Sequence, residues 1–193
     1  LLAGYIWTML DHEVKKYSKP VGIFAFTWRI ILTTGTGSIF GFLVAREAYA
    51  TAILAPLFIA MSLLYGVVVY YLLLVIINKL HKTIIEPEVI ENLKKLTVMF
   101  LFTNLYFLFL YHLTNMYISK HLEFEIFILF NGGVYTAVFW LGQILIGIIF
   151  PLIFLLTNKI CSYFSLLISS VFVLFGSFMS MFVIIIAGQA YPL

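Results

Sequence analysis

Leu96 to Ile118 reads LTVMFLFTNLYFLFLYHLTNMYI, and no aspartate, glutamate, lysine or arginine interrupts it. A membrane-spanning helix needs about 20 predominantly apolar residues, and this run supplies them. Its polar residues are ordered. Asn104, Tyr111 and Asn115 are spaced seven and then four apart, so on a helix they form one narrow stripe, with Leu108 filling the turn between the first two. Lipid penalises side-chain amides and a phenol hydroxyl, so the stripe is expected to face other helices. His112 sits beside it, about 100° round the axis. Such a stripe serves either to pack helices through hydrogen bonds or to line a quinone site or proton path. Gln143, in WLGQILIG, is the candidate partner across the bundle.

The rest of the chain has the same character. Hydrophobic residues make up 64% of the 193 and charged residues 10%, and mean hydropathy is +1.13. Ordinary globular domains have roughly 45–50% apolar and about 25% charged residues. A water-soluble core cannot hide this much apolar surface, so the reading is an all-α integral membrane protein, an antiparallel bundle of transmembrane helices. The net charge of +3 gives no reason to expect nucleic acid as a partner. Cys161 is the only cysteine. That excludes a disulfide framework and a cysteine metal site, and it reads as a small packing residue.

Hydropathy divides the chain into a single transmembrane domain, 1–193, with five full spans at about 20–44, 51–80, 96–118, 133–157 and 161–187. Residues 1–10 are too short to span and read as the tail of a helix that starts earlier. Lys15, Lys16, Lys19, Lys79, Lys82, Lys94, Lys95 and Lys159 fall in alternate loops, while the opposite loops hold only Arg46 and Lys120. By the positive-inside rule the lysine-rich loops are cytoplasmic. Residues 82–95 read as a cytoplasmic turn, with Pro87 at or near a helix start. Residues 122–130, before Asn131-Gly132-Gly133, read as a short interfacial segment broken by the two glycines.

Few ionisable residues fall at membrane depth, and each is a functional candidate because burial there is costly. Arg29, Thr33 and Thr36 share one face of their helix. Either Arg29 snorkels to the headgroups while the threonines bond back to their own helix, or the three face a polar interior and hold a quinone headgroup, a carboxylate or a water chain. Gly37 and Gly41 form a GxxxG pair that suits close helix packing. The bilayer interior is expected to hold no clear acidic residue. Of His12, His81, His112 and His121, only His112 lies at membrane depth, so a haem held by two histidines of this chain is not expected. No nucleotide-binding, zinc or hydrolase motif occurs, and neither a catalytic residue nor a metal site is assigned.

The segment GTGSIFGFLVAREAYATAILAPLFIAMSLLYGVVVYYLLL, with Arg46, then Thr51 to Pro56, then Ser62 and Gly66, resembles the NrfD/PsrC family of quinol-interacting membrane subunits. It is most similar to the ten-helix branch, as in DsrP-like subunits of sulfite-reduction-associated complexes and in alternative complex III. YHLTNMY resembles that family's E-x-x-T-x-x-Y pattern at Thr114 and Tyr117, and the broken NGG start and terminal AGQAYP also fit. The resemblance covers most of the chain and implies the C-terminal half of a ten-helix subunit.

It further implies quinone or quinol (menaquinone or ubiquinone) as the cofactor, with Fe–S clusters or haem only in partner subunits. The implied partners are a ferredoxin-like Fe–S subunit and other respiratory subunits, in a prokaryotic cytoplasmic membrane. The family's quinol pocket would lie mostly in the other half. Two departures stand out. Thr33 occupies the place of a frequent family histidine, and Tyr111 that of the family acid. Both weaken the expectation that this half moves protons.

The expected function is therefore a membrane anchor of a respiratory oxidoreductase complex, exchanging electrons and protons between quinone and an Fe–S partner. The alternatives are a transporter or channel subunit, or a purely structural subunit. Arg29, Thr33, Thr36, Asn104, Tyr111, His112, Asn115 and Gln143 are the quinone or proton-path candidates. Arg46 and Glu47, in an external turn, are the partner-facing candidates.

Overall fold

A computed structural model of the chain describes residues 15–43, 49–81, 85–157 and 162–191. The expected partial span at 1–10 and the partner-facing pair Arg46 and Glu47 lie outside the described residues, as does Cys161. Among the described residues, five helices are long and apolar enough to cross a membrane: α1 (Ser18–Gly41), α2 (Leu54–His81), α3 (Pro87–Tyr117), α5 (Val134–Thr157) and α6 (Tyr163–Ala190). Between α3 and α5 lies a short helix, α4 (Leu122–Ile126), which widens into a π-helical turn, Phe127–Asn131. No strand occurs among the described residues. The protein is an all-α integral membrane protein.

α3 begins at Pro87, where the sequence reading put a helix start with Glu88 and Glu91 in its first turns, although the span itself was expected only from about residue 96. Pro87 takes the first helical position after Glu86, whose backbone is extended (φ −60°, ψ 134°). Proline suits that position because its missing N–H has no helical acceptor there. Residues 87–95, read as part of a turn, are therefore helical, and Lys94 and Lys95 sit on the opening turns of α3.

In lipid, helix association rests on close packing and interhelical hydrogen bonds, because the membrane is as apolar as the helix faces. Both are visible. On Gly37 a Cβ would stand 2.7 Å from the Ala55 Cα, and on Gly41 one would stand 2.8 Å from the Thr51 carbonyl oxygen. The GxxxG pair thus packs α1 on the start of α2, and the falling partner numbers show that the two run antiparallel. The tightest crossing is between α5 and α6. A Cβ on Gly176 would come within 2.1 Å of the Gly147 Cα, so neither position has room for a side chain. Outward faces carry large apolar groups such as Phe24, Ile31, Leu73, Phe109 and Phe178, as a lipid-facing surface requires.

α5 and α6 are not regular throughout. Val138–Ile149 and Phe182–Ala187 are π-helical. A wider turn displaces carbonyls from the usual ladder, and such irregularities recur at functional sites. Here the buried Tyr49 hydroxyl lies 3.0 Å from the Ile184 carbonyl oxygen and 3.2 Å from that of Ile185, and donates its one proton to them. The loop before α2 is thereby fastened to the π segment of α6.

The Asn131-Gly132-Gly133 break has defined causes. Gly133 has φ +56° and ψ −105°, a conformation unfavourable for a residue with a Cβ. The Thr136 hydroxyl accepts the Gly132 N–H at 3.0 Å and donates to the Phe127 carbonyl at 3.2 Å. The Trp140 indole N–H donates to the Leu129 carbonyl at 3.0 Å. Segment 122–130, read from the sequence as a short interfacial strip, packs one face on the bundle. Phe124, Glu125, Ile128 and Leu129 are buried against the bundle, while Leu122, Glu123, Ile126 and Phe130 are exposed. The break turns this segment onto the protein and gives it a genuine inward face.

Candidate functional site

The stripe on α3 faces inward. Asn104, Leu108, Tyr111 and Asn115 are all buried. What they face includes a residue that sequence reasoning missed. Glu125, on α4, has no solvent exposure. One carboxyl oxygen lies 2.8 Å from His112 Nδ1, and the other accepts a 2.8 Å hydrogen bond from the Asn115 side-chain amide. The sequence reading expected no clear acidic residue in the bilayer interior, and the bundle interior holds one. The acid comes from the short segment folded in by the glycine break, not from a spanning helix.

Each part of this cluster has a structural cause. His112 and Asn115 are three apart on α3, so both reach one side of the helix. His112 is held between two aromatic rings, with centroids 5.1 Å to Tyr111 and 4.8 Å to Phe139, both near edge-on. Its side chain keeps 12% exposure against 1% for that of Glu125. A carboxyl group buried among apolar helices is expensive unless partnered. Here every carboxyl oxygen has a partner, and one partner, an imidazole, can itself hold or release a proton. Glu123, two residues earlier, points outward and accepts a hydrogen bond from the Tyr191 hydroxyl at 3.3 Å. Tyr191 also packs against Phe124 and Phe127, so the terminal segment braces α4 from outside.

From His112 a polar trail runs through the bundle. A cavity of about 10 Å³ is bounded by Tyr111, His112, Phe124 and Gln143. A second of about 10 Å³ is bounded by Tyr65, Asn104, Gln143, Ser177 and Ser180. Each is near the smallest volume that holds one water. Gln143 is 1% exposed and Asn104 is 3% exposed, and the side-chain carbonyl oxygen of each has no protein hydrogen-bond partner. Both cavities therefore present acceptors suited to an ordered water. Gln143 borders both, as its sequence pairing with the α3 stripe predicts, although through space and not through a direct bond.

Tyr65 also lines a third and larger space. This groove of about 540 Å³ opens between α1 and α2 and is lined by Arg29, Thr33, Thr36, Phe58, Ser62 and Tyr65, among others. The three α1 candidates are thus brought together, though not with the buried cluster. The Thr33 and Thr36 hydroxyls donate back to the Arg29 and Leu32 carbonyls, at 2.9 and 3.0 Å. Their polarity is largely satisfied within α1, and Arg29 is exposed on the groove. No group of His, Cys, Asp and Glu suited to a metal ion occurs among the described residues.

Comparison with known proteins agrees with this architecture. The family model "Polysulphide reductase, NrfD" matches residues 2–192. The chain is 27% identical over 184 residues to an "Hdr-like menaquinol oxidoreductase integral membrane subunit" of Archaeoglobus fulgidus, covering 93% of this chain and 46% of the relative. The chain thus spans about half the length of that relative. No solved structure matches. A match over nearly the whole length, on a bundle of five apolar helices, shows that this chain belongs to the NrfD polysulphide reductase family.

Proposed function

We propose that the chain forms part of a quinone-linked respiratory membrane subunit and carries protons of the quinone reaction through the Glu125–His112 pair. Oxidation of a quinol releases two electrons and two protons, which need separate routes. The electrons leave to a partner, for which a ferredoxin-like Fe–S subunit in a prokaryotic cytoplasmic membrane is our reading. The protons need titratable groups and water inside the bundle. The observation that carries the proposal is Glu125, without exposure, bonded through one oxygen to His112 and through the other to Asn115. The A. fulgidus relative's description as a menaquinol oxidoreductase subunit supports a quinone, and menaquinone before ubiquinone.

In the proposed route a proton passes across the 2.8 Å contact between Glu125 and His112, while Asn115 holds the carboxyl in place. From His112, the cavity at Gln143 and the next at Asn104, Ser177 and Ser180 lead toward Tyr65 and the groove at Arg29. An amide does not relay protons itself. Gln143 and Asn104 act by orienting water with their unpartnered oxygens. The departure at Tyr111, where the family pattern places an acid, loses its force in this reading, because Glu125 supplies a carboxyl to His112 from another segment.

The test is quinol turnover of the assembled complex with Glu125→Gln. Glutamine keeps the shape and the hydrogen bonds but cannot hold the proton. Loss of a positioned proton carrier lowers turnover by about a hundredfold or more while assembly persists. Unchanged turnover refutes the proposal. Lost assembly with normal residual turnover favours a structural subunit. Uptake of a labelled solute by liposomes holding this chain alone favours a transporter or channel subunit.

A further inference from the structure

At the membrane end opposite α4, the first turns of α3 and the last turns of α5 leave a second sizeable cavity. It measures about 520 Å³ and is lined by Glu91, Lys94, Lys95, Val98, Met99, Leu155 and Leu156. The lining is ordered along α3. Glu91, Lys94 and Lys95 lie near the helix start, and Val98 and Met99 lie one turn further into the span. Leu155 and Leu156, from the end of α5, form the facing wall. A charged mouth therefore opens onto an apolar interior, which is the profile of an amphiphile.

Lys94 is only 8% exposed, although lysine is among the residues least often buried. Lys95 reaches Glu91 at 3.9 Å, with side-chain exposures of 70% and 46%, so that pair is long, solvated and worth little. Lys94 and Glu91 each have a further partner in the structure, and the formal charges of the lining, two ammonium groups and one carboxylate, sum to one positive charge. This end also carries Lys79, near the end of α2, which the positive-inside rule places at the cytoplasmic surface. Basic pockets between transmembrane helices on that side suit anionic lipid headgroups.

We propose that this cavity is a binding site for an anionic phospholipid, its phosphodiester held by Lys94 and Lys95 and the upper part of its acyl chains lying on Val98, Met99, Leu155 and Leu156. The commitment is to a lipid and not to a free anion. A soluble phosphate has no use for the four apolar residues, and the cavity is far larger than a phosphate needs. Such a lipid bridges α3 and α5, the two helices that carry His112 and Gln143, at their far ends. The site is independent of the quinone reading and stands or falls separately.

The test uses the purified full chain in a neutral detergent, equilibrated with radiolabelled phosphatidylglycerol or phosphatidylcholine and then gel-filtered. Wild type retains phosphatidylglycerol over phosphatidylcholine by about tenfold. Lys94→Gln/Lys95→Gln brings the two lipids within about twofold, Lys94→Arg/Lys95→Arg keeps the preference, and Lys79→Gln, at the same end but outside the cavity, also keeps it. No preference in wild type overturns the proposal, as does a preference that survives the glutamine pair. Equal loss in Lys79→Gln overturns it by showing a general surface-charge effect. Displacement of the lipid by millimolar inorganic phosphate overturns it in favour of a free-anion site.

Discussion

Replacing Glu125 by leucine leaves His112 Nδ1 and the Asn115 amide without their 2.8 Å partners. Hydrogen bonds between helices in a membrane protein average about 0.6 kcal/mol and reach about 1.7 kcal/mol. Both bonds here involve a carboxyl group, which places them at the upper end. Their sum is about 3 kcal/mol. Leucine fills a similar volume, so no cavity cost is added. Glutamine behaves differently. Its carbonyl still accepts from Asn115, and its amide donates to His112 Nδ1 once the imidazole proton moves to Nε2. Glu125→Gln is therefore expected to cost less than about 1 kcal/mol, and Glu125→Leu about 3 kcal/mol. Reversible unfolding in mixed micelles measures both. If leucine is as stable as wild type, or glutamine as costly as leucine, the bonds do not hold α4 to α3 as described.

The α5–α6 crossing makes a sharp steric prediction. Gly176→Ala sets a Cβ 2.1 Å from the Gly147 Cα, so the helices must part, at about 1–3 kcal/mol, whereas Gly35→Ala, with nothing within 4 Å of its Cβ, is neutral or slightly stabilising. Thermal unfolding of the two variants in detergent checks the contrast. Gly133→Ala meets a backbone at φ +56° and costs about 1–3 kcal/mol, and because the break positions α4, it also lowers quinol turnover in the assembled complex.

The helical spans and the inward stripe of α3 were legible because each depends on local pattern. Asn104, Tyr111 and Asn115 stand out against an apolar background, and 3.6-residue periodicity places them together whatever the neighbours are. The inward direction of Gln143 was also readable, since a lone amide in an apolar span is costly against lipid, though no bond joins it to the stripe. Glu125 was not read as buried, although a signal existed. His121, Phe124, Glu125, Ile128 and Leu129 fall at helical spacing, and those residues are the buried ones. The segment looked interfacial because two glutamates and a glycine break also mark a membrane-surface loop. Only the fold of the break onto α3 distinguishes the two glutamates, one inward and one outward.

The π-helical stretches of α5 and α6 had no such signal, because a wider turn preserves apolar composition. The Gly147–Gly176 contact is likewise tertiary, joining two glycines from different spans. At Arg29, Thr33 and Thr36 the local reading held in part. The threonines do bond back to their own helix, while the groove beside them depends on where α2 packs.

The central claim is that Glu125 gains or loses a proton when quinone is reduced or quinol oxidised. Redox-triggered infrared difference spectra of the assembled complex in the membrane test it directly. The account predicts a carboxyl C=O stretching band in the wild-type difference spectrum that disappears in Glu125→Gln and shifts in His112→Gln. A difference spectrum with no carboxyl band, or with one unchanged in Glu125→Gln, contradicts it.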